Sequence, residues 1–353
     1  IKIFHISISP NNKNFKLIDN KMVVGKSDPN NDVFDVLIMA CNDIKEVKIP
    51  SYIKRISSYC FVNCIELKTV EFESNSNLEY IEDNAFNGSS MIESITIPKH
   101  VKTIGKSAFY SCKNLRTIDI LNDSELEFID KDAFNYSLIR TIFIPKNFKN
   151  KCFHLFSPHL DNVFVSSENN NIKIIDNKMV VGKSDQNINE FDTILFAFRD
   201  ITDVVIPKYI KYLSPYCFYN CKKLQNVEFE KNSNLISIGE YSFYGSSIEH
   251  ISIPAHLKNI DSFAFYYAEK LKSFTFSYNY EIESIENNVS DQSSINSINC
   301  LGNEFANNYL LTKINENTFN FCRFILHICF KNIEISICCT RKEFPTILYC
   351  HET

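Results

Sequence analysis

Between Ile53 and Pro98 one spacing of apolar positions is written twice. Ile53, Ile56, Phe61, Cys64, Leu67, Val70 and Phe72 fill it once; Leu78, Ile81, Phe86, Ser89, Ile92, Ile95, Ile97 and Pro98 fill it again. Reduced to spacing it reads L-x-x-I-x-x-x-x-F-x-x-C-x-x-L-x-x-I-x-I-P, with Cys relaxing to another small residue. A fixed period in the low twenties marks a solenoid, because one coil cannot bury its apolar face until a neighbour stacks on it. The Phe position recurs at Phe61, Phe86, Phe109 and Phe134 and, after an interruption, at Phe218, Phe243 and Phe265. Its spacings alternate near 25 and 23, so the repeating unit is a pair of coils. Pro50, Pro98, Pro145, Pro207 and Pro254 stand at the end of a strand in each pair, where a residue without an N–H stops the ladder.

Each coil is expected to hold two short strands and a single helical turn. In the T-I-x-I-P strands Ile95 and Ile97 point inward while Ser94 and Thr96 point outward. The segment Gly105 to Cys112 is compact enough for one turn of helix that drives Phe109 inward. Stacking then aligns the Phe side chains into a spine, each contributing roughly 1.5 to 3 kcal/mol of burial.

An internal duplication sets the larger organisation. Residues 18–28, IDNKMVVGKSD, recur unchanged at 175–185, and the offset of 157 holds through Cys60/Cys217, Cys64/Cys221 and Gly88/Gly245. Carried backwards it places Ile6 and Ile8 on Val163 and Val165, so the sequence starts within a coil, on its closing strand. From about residue 15 to 47 alternating segments, Lys16 to Val24 and Phe34 to Met39, flank the polar loop Gly25 to Asp32, which predicts an inserted β-hairpin. A second hairpin is expected at about 172–198 around Gly182 to Asn189. The predicted blocks are 1–165, 166–330 and an irregular tail, 331–353. Residues 147–165 form a shortened coil, and 282–310 a decayed one with Ser290 where Phe is expected.

Composition adds little to this picture and removes several functions from it. Lys, Arg, Asp and Glu are well mixed around a net charge of −5, with no basic stripe interleaved with aromatics, which speaks against nucleic acid as a partner. The 41 Asn suit the left-handed corners of coils. Of the 13 Cys, Cys64, Cys112, Cys221 and Cys322 share a template position with Ser89, Ser137, Ser246 and Ala268, so that slot demands a small core side chain. No stretch reaches the 18 to 20 apolar residues of a membrane-spanning helix; Arg323, Lys331 and Glu334 break the best candidate. No signal peptide is read at Ile1.

The chemistry of sites is equally sparse. VVGKS at Val23–Ser27 and Val180–Ser184 ends like a phosphate-binding loop, but Asn20 and Asn177 stand where the first Gly is required and no helix follows. Asp28, Asn30 and Asp32 open like a calcium loop, with Val33 in place of the turn Gly and Met39 in place of the closing Glu. Cys152, His154 and His159 lack a fourth ligand and read as packing residues. No nucleophile elbow or triad is present, so no catalytic residue, cofactor or metal is assigned. Sequons at Asn87, Asn122, Asn135 and Asn288 would accept glycans in a secreted chain.

A repeat protein offers partners the outward residues of one strand row, whose spacing the stacked ladder fixes. Here that row is Lys48, Glu71, Thr96, Asp119 and Phe143, then Val205, Glu228, Ser252 and Thr275. Phe143 has two readings, an exposed anchor or a residue packed under the insert.

The phrases IPKHVKTIGKSAFYSCKNLRTIDI and IPAHLKNIDSFAFYYAEKLKSFTF resemble the BspA-type leucine-rich repeats, whose pattern is an IP turn, an AF segment and a C-x-x-L-x-x-I strand. The NNKNFKLIDNKMVVGKSD block is similar to a hairpin insert common in protist members. The resemblance implies a β-rich, right-handed leucine-rich-repeat solenoid. It further implies a non-enzymatic protein-protein interaction or adhesion protein, a surface antigen at the cell surface or secreted, with host or extracellular matrix proteins as partners. The alternative is a cytoplasmic leucine-rich-repeat scaffold.

Overall fold

The computed structural model describes residues 2–130, 132–149, 159–185, 187–277, 281–295 and 297–300, with the short strands Lys313–Ile314 and His327–Ile328. Contacts divide the chain into two units, residues 1–150 with 154–173, and residues 151–153 with 174–353. Each described unit is a coil of stacked parallel strands entered through an antiparallel insert. Cys152 and His154, Cys322, and the expected recovery and tail beyond residue 315 other than His327–Ile328 fall outside the described residues.

In the first unit the insert holds β1 (Phe15–Ile18), β2 (Met22–Gly25) and β3 (Val36–Ala40). β1 pairs antiparallel with β2, and β2 antiparallel with β3. The segment expected as one strand, Lys16 to Val24, is thus two strands folded over Asp19, Asn20 and Lys21, with Asp19 and Asn20 at φ of 49° and 51° and the Lys21 N–H donating to the Ile18 carbonyl at 3.1 Å. β3 then pairs in parallel with Arg55–Ile56, which opens a ladder through Tyr80–Ile81, Thr103–Ile104 and Phe128–Ile129. On the other side of each coil lie four-residue strands, Glu46–Ile49 beside Thr69–Phe72, Ser94–Ile97 beside Thr117–Ile120, and Thr141–Ile144 beside Asn162–Val165, all parallel. The prolines that end the first strand of each pair accept a turn bond, as from Ile53 N–H to the Pro50 carbonyl at 3.1 Å. Ile6 and Ile8 are half-buried between exposed neighbours, the expected alternation, but their segment forms no strand.

The expected helical turn is not a helix. Gly105–Cys112 is a run of turns in which Ser107 and Ser111 have φ of 54° and 58°, the left-handed region that an α-helix excludes. Its N–H groups alternate in direction. Ala108, Tyr110 and Cys112 donate three residues back, to Gly105, Ser107 and Phe109, whereas Phe109 and Ser111 donate to Ala133 and Asn135 of the next coil at 2.7 and 2.9 Å. The corner therefore propagates a hydrogen-bonded ladder from coil to coil, satisfying backbone groups that a one-turn helix would leave without partners. The second left-handed column takes Asn, Ser, Tyr and Gln as well as Gly, but at Gly88 (φ 76°) the coils close in, and a Cβ there would meet Asn63 Oδ1 at 2.3 Å.

The Phe spine is present in both units. Phe61, Phe86, Phe109 and Phe134 stack ring on ring at 4.8, 4.9 and 5.2 Å with planes within 6°, and each is fully buried. In the second unit, whose insert strands are Ile172–Ile175, Met179–Gly182 and Thr193–Ala197, Phe218, Phe243 and Phe265 stack at 4.9 and 5.0 Å. The decayed coil keeps the turn, with Asn288 and Gln292 at φ of 54° and 60°. Ser290 sits buried in the Phe slot, and Phe265 is met edge-on by Phe274, on the strand of its own coil, at 5.0 Å.

The small slot after each Phe is used for more than volume. The Ser89 hydroxyl donates to the Phe61 carbonyl at 2.6 Å, and the Cys112 thiol to the Phe86 carbonyl at 3.3 Å. Cys41, Cys60, Cys64, Cys112, Cys217 and Cys221 are free and buried. Burial pushes the Cys64 and Cys112 thiols up to about 12, so almost no thiolate, the reactive form, exists near neutrality. In the native chain at pH 8, iodoacetamide is expected to leave these six unmodified over an hour, with peptide mass mapping as the readout; rapid labelling of Cys112 would contradict its place in the core.

Candidate interaction surface

The outward row is set by parallel register. In the first unit Lys48 lies beside Glu71, Thr96 beside Asp119, and Phe143 beside Phe164; in the second Val205 lies beside Glu228 and Ser252 beside Thr275. Lys48, Glu71, Thr96, Asp119, Val205, Glu228 and Ser252 are exposed, while Phe143 and Thr275 are half-buried. The structure thus brings these residues to one strand face of each unit. Lys48 and Glu71 are opposite charges on neighbouring strands, and Thr96 Oγ1 reaches Asp119 Oδ2 at 3.5 Å. Such pairs belong to a solvated face.

Phe164, which the alternation of Val163 and Val165 already sends outward, was the residue missing from the row. It is 58% exposed, directly across from Phe143. Two neighbouring aromatics on one outward row give this end of the first unit an apolar character that the charged rungs lack.

Elsewhere charge is answered from coil to coil. Lys102 pairs with Glu79 at 2.8 Å, Lys149 with Glu127 at 2.7 Å, Lys99 with Asp123 at 2.9 Å, and in the second unit Lys258 with Glu283 at 3.0 Å. These exposed pairs contribute little individually and mainly keep stacked like charges apart.

The GKS motif is consumed by the fold. Asp35 is buried and accepts from the Ser27 N–H at 2.9 Å and the Ser27 hydroxyl at 2.8 Å, while Lys26 reaches Asp32 at 3.0 Å. Asp192 repeats the arrangement, with Ser184 N–H and hydroxyl both at 2.7 Å. The Asp28 and Asn31 side chains accept from the backbone N–H groups of Asn30 and Val33, so they brace the loop itself. Among the described residues no group of His, Cys, Asp or Glu could hold a metal ion, and no helix is long and apolar enough to cross a membrane.

A solved leucine-rich-repeat protein from Eubacterium ventriosum superposes with a TM-score of 0.61 over 94% of this chain and 96% of its own, at 18% identity. The pneumococcal vaccine antigen PcpA gives a TM-score of 0.61 at 24% identity, over 78% of this chain and 71% of its own. A leucine rich cell surface protein from Faecalibacterium prausnitzii gives 0.51 at 16% identity, over 85% and 96%. At these identities the likeness is one of fold. No curated protein matches the chain. The model of the BspA type leucine rich repeat region matches residues 36–160 and 189–325 in six copies, most of the sequence, and the chain therefore belongs to the BspA-type leucine-rich-repeat family.

Proposed function

We propose that this chain is a non-enzymatic protein-binding module of a surface antigen, displayed at the cell surface or secreted, that engages host or extracellular proteins through the outward strand row. The observation that carries the reading is the Phe143 and Phe164 pair, two outward aromatics held in register, Phe164 exposed and Phe143 half-buried. Binding energy concentrates in a few aromatic anchors surrounded by near-neutral contacts, and the solvated rungs Lys48/Glu71 and Thr96/Asp119 supply such a surround. Membership of a repeat family supports a binding role, since its strand row is a fixed surface with variable side chains. PcpA and the Faecalibacterium protein, described respectively as a vaccine antigen and a cell surface protein, support the location.

The test is a solid-phase binding assay against extracellular matrix proteins with Phe143→Ser and Phe164→Ser. Each is expected to weaken binding about tenfold while changing unfolding free energy by less than about 1 kcal/mol. Lost stability with Phe143→Ser would mean the residue is packing, and unchanged binding in both variants would remove this row as the site. Labelling intact cells with a membrane-impermeant reagent tests location; complete protection would leave the cytoplasmic scaffold.

A further inference from the structure

The second unit carries more corner aromatics than the first, which has Tyr59 (φ 63°) at the position of Tyr216 and a Tyr110–Tyr136 pair at 5.1 Å. Tyr216, Tyr241 and Phe263 occupy the first left-handed column of the corner, with φ of 61°, 52° and 60°. Their rings stack at 5.0 Å and 5.0 Å, and Tyr219 stacks on Tyr244 at 4.6 Å beside them. Tyr266 and Tyr267 extend the cluster, and Tyr267 is 40% exposed.

The fold does not require these side chains. In the first unit the same corner is turned by Asn84 and Ser107 where the second has Tyr241 and Phe263, and by Val62 and Asn87 where it has Tyr219 and Tyr244. Bulky residues are disfavoured at positive φ, and Asn is the residue the position favours. Aromatics held there in three successive coils, where after Tyr59 the sister unit turns the corner with Asn84 and Ser107, point to a use outside folding.

The charges around the cluster say what would cover it. In the first unit Glu82 on this corner is met by Arg55 at 2.8 Å; the matching positions in the second are Gly239 and Tyr212. Among the described residues neither Glu240 nor Asp261 has an ion-pair partner. Arg199 is committed to the Cys217 carbonyl at 3.2 Å and to the Phe196 ring at 4.4 Å. Asp291, whose carbonyl accepts from the Tyr267 N–H, is 8% exposed, and its Oδ1 is buried without a hydrogen-bond partner. Its charge bears on the Tyr266 phenol, as that of Glu240 bears on Tyr241. A corner with aromatic edges, unmatched carboxylates and a buried acceptor is complementary to long side chains that end in a cation.

We propose that the aromatic ladder of the second unit docks a basic peptide segment of a protein partner, its Lys and Arg stems lying along the tyrosine edges and its cations meeting Glu240, Asp261 and Asp291. This rests on the protein-binding reading but uses a different surface, so the Phe143 and Phe164 variants and the ones below fail independently.

The experiment is a fluorescence-anisotropy titration of the full chain with a fluorescein-labelled nonapeptide of alternating Arg and Gly, at low and raised salt. Binding is expected, weakening as salt rises. Tyr241→Asn with Tyr244→Asn, which installs the first unit's own residues, is expected to weaken it about fivefold or more with an unchanged unfolding midpoint. That double variant keeps the net charge, so affinity equal to the parent would mean non-specific attraction and overturn the proposal. If the midpoint falls, Glu240→Gln with Asp291→Asn decides, and unaltered affinity there overturns it equally. Failure of the peptide to bind, with an uncharged N-acetylglucosamine hexasaccharide bound through the same tyrosines, would overturn it in favour of a glycan.

Discussion

Phe109→Ala is expected to destabilise the first unit by about 3 to 5 kcal/mol, the range for a buried aromatic truncated in a core that cannot collapse around the void. Phe109 is fully buried, and both of its faces are covered, by Phe86 at 4.9 Å and Phe134 at 5.2 Å. Those neighbours are held by their own coils, whose corner ladders fix the spacing, so neither can move in to fill the gap. Phe61 stacks in the spine on Phe86 alone. Phe61→Ala should therefore cost less than Phe109→Ala by about one stacking contribution, roughly 0.5 to 1.5 kcal/mol. Urea unfolding measures both, and a cost below about 1 kcal/mol for Phe109→Ala would remove the spine as a source of stability.

Asp35→Ala is the second large effect, expected at about 2 to 3 kcal/mol. It removes the buried carboxylate that accepts from the Ser27 N–H and hydroxyl, and hydrogen bonds to a charged group contribute about 1.5 to 3 kcal/mol, while the exposed Ser27 groups turn to water. The same residue gives a pH signature. Burial alone would push the Asp35 carboxyl up, but the two bonds from Ser27 and the charge of Lys54 outweigh it and hold the group below its ordinary value. A carboxylate depressed in the folded state contributes stability that is present above the unfolded pKa, about 3.9, and is lost as pH falls through the folded value. The stability difference between parent and Asp35→Asn should therefore be largest near neutrality and shrink below about pH 4. A difference that grows on acidification would contradict the arrangement.

The interaction surface was less legible than the fold. The row from Lys48 to Thr275 followed from alternation alone, since a period of two leaves no choice of face. Phe164 is equally outward between Val163 and Val165, but the shortened coil obscures its place in the template. The tyrosines of the second unit stood in plain sequence as unremarkable x positions. Their stacking, and the contrast with Asn84 and Asn87, depends on which residues the corner superimposes.

The solenoid, its alternating coil lengths, the Phe spine, the proline stops and the duplicated insert are all legible along the chain. All of these are statements about burial, and burial is written locally as a spacing of apolar residues. The form of the corners emerges only when the coils stack. Ser-Ala-Phe-Tyr-Ser at Ser107–Ser111 is compatible with a helical turn taken in isolation. The neighbouring coil decides otherwise, because Phe109 and Ser111 must send their N–H groups to Ala133 and Asn135, 24 residues further along the chain. Ser107 and Ser111, two residues to either side of Phe109, adopt positive φ. The partner of a backbone N–H in a solenoid lies one coil away, and no local pattern carries that information.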